Sequence, residues 1–369
     1  MAGHRIAVIP GDGIGKEVVP EGIKVINAAG ECEGIRFEFA EFPWGCEHYL
    51  KHSELMPESA LDELAQFDAI YLGAVGMPDV VPEEVAVRGL VLRIRFGFDQ
   101  FANVRPIRPL PGGRFILNHV EPQSIDLVVV RENTEGMYLG LGRRYPAGTP
   151  EFQEYSGLRP SFSRSSEIAV QTGIYSEAGC RRVMEFAFDL ATRRDGLRRV
   201  TSATKANALN FGMTLWNEVF EDVARCYPGI RADWQNVDAM AMRLMLEPQA
   251  YDVIVAPNLF GDILTDLTAV LQGGLGMCAG ANLSITGPSM FEPPHGSAPD
   301  IAGKGVANPT AAILTGAMML EHLGHPHAAA RIEAAVGEVL RGGSVLTRDL
   351  GGTASTSQFA DAVVSALGR

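Results

Sequence analysis

Residues 10–19 read PGDGIGKEVV and follow directly on the apolar run IAVI at 6–9. A short strand, a glycine-rich turn and a charged stretch suited to a helix make the opening unit of an α/β protein. The same unit raises the question of whether a dinucleotide sits on the turn. That role requires G-x-G-x-x-G, so that backbone amides and a helix N-terminus cradle the pyrophosphate. Here Gly11, Gly13 and Gly15 give G-x-G-x-G, and Lys16 stands where the last glycine belongs. Glu41, at the end of a second apolar run, could serve as the ribose-binding acid. The competing reading is a tight strand-to-helix turn with no ligand, and these residues alone leave both open.

Outward from this unit, β-type runs alternate with helical stretches: RIAVIP, IRFEFAEF, FDAIYLGAV, SIDLVVVREN and YDVIVAPN are separated by segments such as MPESALDELAQ and YSEAGCRRVMEFAFDLATRR. In the last, Val183, Phe186, Ala187 and Leu190 recur at helical spacing. The alternation predicts an α/β fold with a largely parallel sheet covered on both faces. A chain of 369 residues has room for one large or two medium α/β domains. The stretch 145–166, YPAGTPEFQEYSGLRPSFSRSS, is rich in Pro, Gly and Ser and reads as an inserted loop or arm.

With 46% hydrophobic and 20% charged residues the chain has the composition of a folded globular protein. Its net charge of -13 opposes binding to nucleic acid or an anionic membrane. No apolar run approaches the roughly 20 residues that cross a bilayer. MAGHRIAVIP lacks the marks of a secretory signal. Cys32, Cys46, Cys180, Cys226 and Cys278 are scattered and never form C-x-x-C, which points to a reducing compartment and away from disulfides or zinc. The expectation is a cytoplasmic protein.

The strongest chemical signal is YDVIVAPNLFGDILTDLTAVLQGGLG. Asp262 and Asp266 stand four residues apart on one helix face, where like charges repel. A divalent cation between them removes that cost, and hard oxygen ligands suit Mg2+ or Mn2+. Asp238, in WQNVDAMAM, is a third carboxylate of the same kind. Arg95, Arg105 (in FANVRP) and Arg131 (in VVVRENTEGMY) supply fixed charges at strand ends or the turns beyond, where α/β sheets hold ligands. Three arginines in an acidic chain suit a substrate with several carboxylates. Tyr138 and Lys205 (in TSATKANALNFG) are candidates for proton transfer. FEPPHGSAPDIAGKGVANP is a Gly/Pro-rich loop that permits close backbone approach. It offers His295 as an aromatic face and Asp300 as an acceptor for ribose hydroxyls that repels a 2′-phosphate. His325 and His327, in HPH, have no partner spacing for a metal and read as a surface feature at a helix end.

Taken together these motifs resemble the β-decarboxylating dehydrogenases, the isocitrate/isopropylmalate dehydrogenase family, over essentially the whole chain. NVRP, VRENTEG, NLFGDILTDL and EPPHGSAPDIAGKGVANP carry the resemblance, and together they are highly specific. It implies a non-Rossmann fold of two α/β domains with the active-site cleft between them. Residues 1–100 and 273–369 would form a large cofactor-binding domain, and 101–272 a small domain with dimerisation elements and the arm near 145–166. The nucleotide would bind mainly at residues 292–308, leaving PGDGIGKEVV as a turn near the cleft.

The resemblance further implies Arg95, Arg105 and Arg131 as substrate ligands, Tyr138 and Lys205 as the acid/base pair, and Asp238, Asp262 and Asp266 as metal carboxylates. Asn207, Glu292, His295, Gly296, Ser297, Ala298, Asp300, Ile301 and Asn308 would line the cofactor. The implied cofactors are NAD, favoured over NADP by Asp300, and Mg2+ or Mn2+, with K+ as a further candidate. Members are homodimers, in which Lys205 and Asp238 would reach into the neighbour's cleft.

FPWGCEHYLKHSELMP, GAVGMPDVVPEEV and FDQFANVRP most resemble the tartrate and D-malate dehydrogenases. Arg88 departs from that subgroup, which generally carries tryptophan there. The expected function is therefore NAD- and metal-dependent oxidation, with β-decarboxylation, of a (2R)-malate-type substrate, D-malate or tartrate first. A dehydrogenase of a 3-substituted malate, with Arg88 meeting an extra anionic group, is the alternative. A non-oxidative metal-dependent decarboxylase and a non-catalytic nucleotide-binding regulator are the rivals from other classes.

Overall fold

The apolar runs become strands in a computed structural model that describes residues 3–368. Strand β1 (Gly3–Gly11) is central in its half of the sheet and is buried from Ile6 to Gly11. It is flanked by β2 (Arg36–Glu41) and β3 (Ala69–Ala74), both parallel to it. Next in the chain come β4 (Ala102–Ile107), β5 (Leu127–Glu132), β6 (Gly136–Pro146) and β7 (Glu167–Ile174). They are followed by β8 (Arg199–Thr204), β9 (Arg231–Asn236), β10 (Val253–Ala256), β11 (Ala281–Leu283) and β12 (Ser289–Phe291).

Ten of these strands form one sheet in the order β2-β1-β3-β12-β11-β4-β5-β10-β8-β9. The expected parallel sheet holds within each half. At the seam β11 runs antiparallel to both β12 and β4, and β4 antiparallel to β5. The prediction needed that amendment because an apolar run reports burial and carries no direction.

Helices cover both faces. On one half, Gly15–Glu33, Thr310–His322, Pro326–Gly342 and Thr356–Leu367 pack on β1 and β3 through Ile6, Val25, Ile26, Ile313, Ile332 and Phe359. On the other half, helix Glu177–Arg194 turns Val183 and Ala187 into a core with Trp216 and Phe220, and the partly buried Phe186 and Leu190 pack against it. That is the face its periodicity predicted. Ser176 caps this helix by accepting from the Gly179 amide.

Residues 136–174 leave the main sheet as a β6–β7 hairpin carrying the short helix Pro150–Ser156. The expected arm is thus a two-stranded ribbon, with Leu141, Leu158, Phe162 and Ile174 exposed along it. All five cysteines are free thiols. No helix among the described residues is long and apolar enough to cross a membrane.

Candidate active site

The seam between β4 and β5 builds the site. Asn103 lies opposite Arg131 and Arg105 opposite Val129, and side chains two apart share a face. Arg105 and Arg131 therefore project to the same side, each from within a strand where a strand end or turn was expected. Arg95 arrives from helix Leu92–Gly97. All three guanidinium groups are buried, Arg131 to 1% exposure.

Neutral oxygens hold much of this charge. Arg105 donates to Asn103 Oδ1 at 3.1 Å and Thr265 Oγ1 at 3.0 Å. Arg131 donates to Asn258 Oδ1 from two nitrogens. Arg95 donates to Glu292 at 2.5 Å, while its buried Nε has no partner. Burial pushes the Arg131 guanidinium down to about 10; Asp262 opposes the shift, and Arg95 and Arg105 add to it by repulsion. A cluster of mutually repelling buried cations is stabilised by a bound polyanion.

Helix Asn258–Gln272 lies over this seam and carries Asp262 and Asp266. Gly261 lets it approach: a Cβ there would lie 2.6 Å from the Arg131 side chain. Asp262 receives Arg131 Nη1 at 2.5 Å on one oxygen and the Tyr138 hydroxyl at 2.8 Å on the other. The Arg131 guanidinium also lies 4.9 Å over the Tyr138 ring. Burial raises the Tyr138 pKa, Arg131 counteracts this, and the bond to Asp262 raises it further. Tyr138 is thus held as a neutral proton donor.

Burial likewise pushes the Asp266 carboxyl up; Arg105, 3.5 Å away, pulls it down and Asp262 pushes it up again. Two adjacent hard-oxygen carboxylates, short of positive charge, fit a divalent cation. Among the described residues, no three His, Cys, Asp or Glu side chains gather in one metal-sized group. The expected set of three aspartates is therefore not assembled within one chain. Asp238, at the start of helix Val237–Leu246, instead accepts from Lys205 Nζ at 2.7 Å, and this bond lowers its pKa. Lys205 follows β8, and Tyr138 and Lys205 each pair with a different aspartate.

The 292–308 loop docks onto the opening turn. Ile14 N donates to Ser297 O at 2.8 Å. Gly13 is at φ +55, and a Cβ there would lie 2.0 Å from that same oxygen. Glu17, in the first turn of the helix, accepts from the Gly303 and Gly305 amides. The glycines of PGDGIG thus serve a loop packed against them, which explains their fingerprint-like spacing without a phosphate.

Beside the loop lies a cavity of about 540 Å³, lined by Ile14, His295, Asp300, Ile301, Asn308 and Arg348 among others. His295 Nδ1 pairs with Gly296 O at 3.0 Å, and its buried Nε2 is unpartnered. Burial holds the ring neutral by lowering its pKa. In the tautomer with the proton on Nδ1, an acceptor nitrogen is free for an amine such as that of adenine, so the cavity fits the expected nucleotide.

The other residues expected at the cofactor take several positions. Ala298 and Ile301 pack on Ile14 and Val18, and Ser297 is buried against the turn. Glu292 is turned away, toward Arg95 and Asn282. Burial alone would raise its carboxyl, but Arg95 outweighs that and lowers it. Gly296 and Asn207 are exposed, and Asn207 lies in the turn after β8.

Sequence reasoning missed Asn103, Asn133, Asn258, Thr265 and Glu17, which orient the groups above. The signal for Asn258 and Thr265 was present, since both fall within NLFGDILTD on the helix of Asp262. Arg88 sits in the π-turn Val87–Val91, exposed and with no hydrogen-bond partner among the described residues. Its guanidinium lies against Gly140 of β6, where a Cβ would stand 2.3 Å from Nη1. It thus spans from the segment bearing Arg95 to the strand bearing Tyr138.

Comparison with known proteins agrees with this geometry. A D-malate dehydrogenase (decarboxylating) of Escherichia coli K12 is 45% identical over 98% of both chains. A tartrate dehydrogenase/decarboxylase of Pseudomonas putida is 44% identical over 99% of this chain and 98% of its own. The crystal structure of isocitrate dehydrogenase from Methylococcus capsulatus superposes with a TM-score of 0.85 and 37% identity, covering 99% of this chain and all of that one. Residues 5–363 match the isocitrate/isopropylmalate dehydrogenase family, and the chain belongs to it.

Proposed function

We propose that this chain oxidises a (2R)-malate-type hydroxy acid with NAD and a divalent metal, with loss of the β-carboxylate, and that D-malate or tartrate is the substrate. The observation that carries the reading is the trio Arg95, Arg105 and Arg131, buried together and short of anionic partners. The trio suits two carboxylates on a short carbon frame, which bidentate guanidinium contacts would fix in orientation. The names of the E. coli and P. putida relatives support the same substrate class.

Asp262 and Asp266 would hold the metal, which when bound acidifies a substrate hydroxyl and steadies negative charge on the same oxygen. The cavity beside residues 292–308 would hold NAD, the hydride acceptor. Lys205 accepts the hydroxyl proton, with Asp238 orienting its ammonium group. Tyr138, kept protonated by its surroundings, delivers a proton to C3 once the carboxylate has left.

Lys205 and Asp238 pair with each other apart from Tyr138 and Asp262, which supports a homodimer in which each chain supplies this pair to its neighbour. Exposed Phe211, Trp234 and Met242 near that pair, and the apolar arm, support such an interface. In this reading residues 1–100 and 273–369 form the cofactor domain, and 101–272 the domain bearing the interface.

A second reading, a 3-substituted malate with an anionic group, is favoured by the unpaired Arg88 guanidinium. Following reduced nicotinamide by absorbance, with D-malate, tartrate and 3-substituted malates in parallel, tests both.

A further inference from the structure

The cavity beside the 292–308 loop contains a cation that nothing in the chain neutralises. Arg348 lines it together with Asp300, Asn308 and Asp349. Arg348 is exposed and forms no hydrogen bond or ion pair among the described residues. Its placement is nonetheless fixed by its neighbours. Asp349 accepts from Asn308 Nδ2 at 2.8 Å and from Thr347 Oγ1 at 2.5 Å. Thr347 is fully buried, and Asn308 nearly so. The short turn Arg348–Leu350 is therefore pinned to the end of the loop, with its first residue at the cavity. Glycines flank the far side of this turn at 351 and 352, and the amide of Gly352 closes it on Thr347 O at 2.9 Å.

Asp300 lies in the same cavity and is also exposed. A carboxylate accepts from the hydroxyls of an adenosine ribose and repels a phosphate esterified at the 2′ position. An unpaired guanidinium in the same space does the reverse, since a phosphate dianion offers it two oxygens at once. Lys304 adds positive charge to the Asp300 turn: its Nζ donates to Asp300 O at 2.6 Å. The cavity thus carries one device against a 2′-phosphate and one for it.

We propose that Arg348 is a specificity-determining residue for the cofactor, and that it keeps a 2′-phosphorylated dinucleotide within reach of a site otherwise set for NAD. The inference rests on the reading of this cavity as the adenosine site. Asp300 makes NAD the preferred cofactor, and Arg348 holds the preference to about tenfold. Removing Arg348 widens it to on the order of a hundredfold, the extra tenfold corresponding to one charge-assisted phosphate contact.

Calorimetric binding of two nucleotide fragments tests this without any turnover. The probes are 5′-AMP, which lacks the 2′-phosphate, and 2′,5′-ADP, which carries it. Arg348→Ala is expected to weaken 2′,5′-ADP about tenfold and leave 5′-AMP within about twofold, with Arg348→Lys in between. Because Arg348 is exposed, an unchanged melting temperature is expected to accompany the loss. Equal weakening of both probes, or of neither, overturns the proposal while leaving the cofactor reading intact. If the wild-type chain binds neither probe and no NADH, the cofactor reading itself falls and this inference falls with it.

Discussion

The Tyr138 hydroxyl donates to Asp262 at 2.8 Å, and the same carboxylate takes Arg131 on its other oxygen. One aspartate therefore orients the proton donor, holds a substrate arginine and presents itself to a metal. Tyr138→Phe removes only the hydroxyl and leaves the ring beneath Arg131. The expected result is a chain with an unaltered melting temperature whose turnover falls about 10²–10⁴-fold. Substrate binding, measured by calorimetry, should stay within a few-fold. Loss of binding in step with turnover would make Tyr138 a substrate ligand.

The metal assignment is checked by chelation. Exhaustive treatment with a chelator should abolish turnover, and Mg2+ or Mn2+ should restore it. Asp266→Asn leaves the Arg131–Asp262–Tyr138 chain in place, so it should fold normally and require far more metal for the same rate. Full activity in a metal-free preparation contradicts the assignment.

Shared active sites predict complementation. Lys205→Ala and Tyr138→Phe should each be inactive alone. Mixed under conditions that exchange subunits, they should recover part of the wild-type rate, since one cleft of the mixed dimer then holds both native residues. Demonstrated exchange with no recovery refutes the arrangement.

His295 makes a prediction in stability. Burial lowers its pKa in the folded chain, while the unfolded chain titrates near the ordinary value of about 6.5. Between those two pH values the unfolded state binds more protons, so stability rises with pH. The contribution is complete above the ordinary imidazole range and is lost as pH falls toward the lowered folded value. Replacing His295 with Gln removes the proton site, so the melting temperature should fall less steeply from neutral to mildly acidic pH than in wild type. Identical slopes would show that the ring titrates normally in the fold.

Much of this fold and site was legible in the residues because its signals are local. Apolar alternation marked the strands, the spacing of Asp262 and Asp266 put them on one helix face, and the glycine pattern flagged a turn that does make a close approach. What was hidden depends on contacts between distant segments. The antiparallel seam at β4 is a matter of direction, which burial patterns do not encode. Arg88 meets Gly140, and Glu292 meets Arg95, across long stretches of chain with no motif to join them. Asp238 reads like its two fellow aspartates, yet the folded chain pairs it with Lys205.

The central claim is that a malate-type acid is oxidised at the arginine cluster. Its most direct test is the specificity constant kcat/KM for NADH formation with D-malate, tartrate and 3-isopropylmalate, in wild type and in Arg88→Trp. The account predicts metal-dependent NADH formation with D-malate or tartrate as the best substrate of wild type. Arg88→Trp should alter the rank of substituted malates, since Arg88 spans from the Arg95 segment to the Tyr138 strand. Release of CO2 with no NADH, or 3-isopropylmalate as the best substrate, would contradict it.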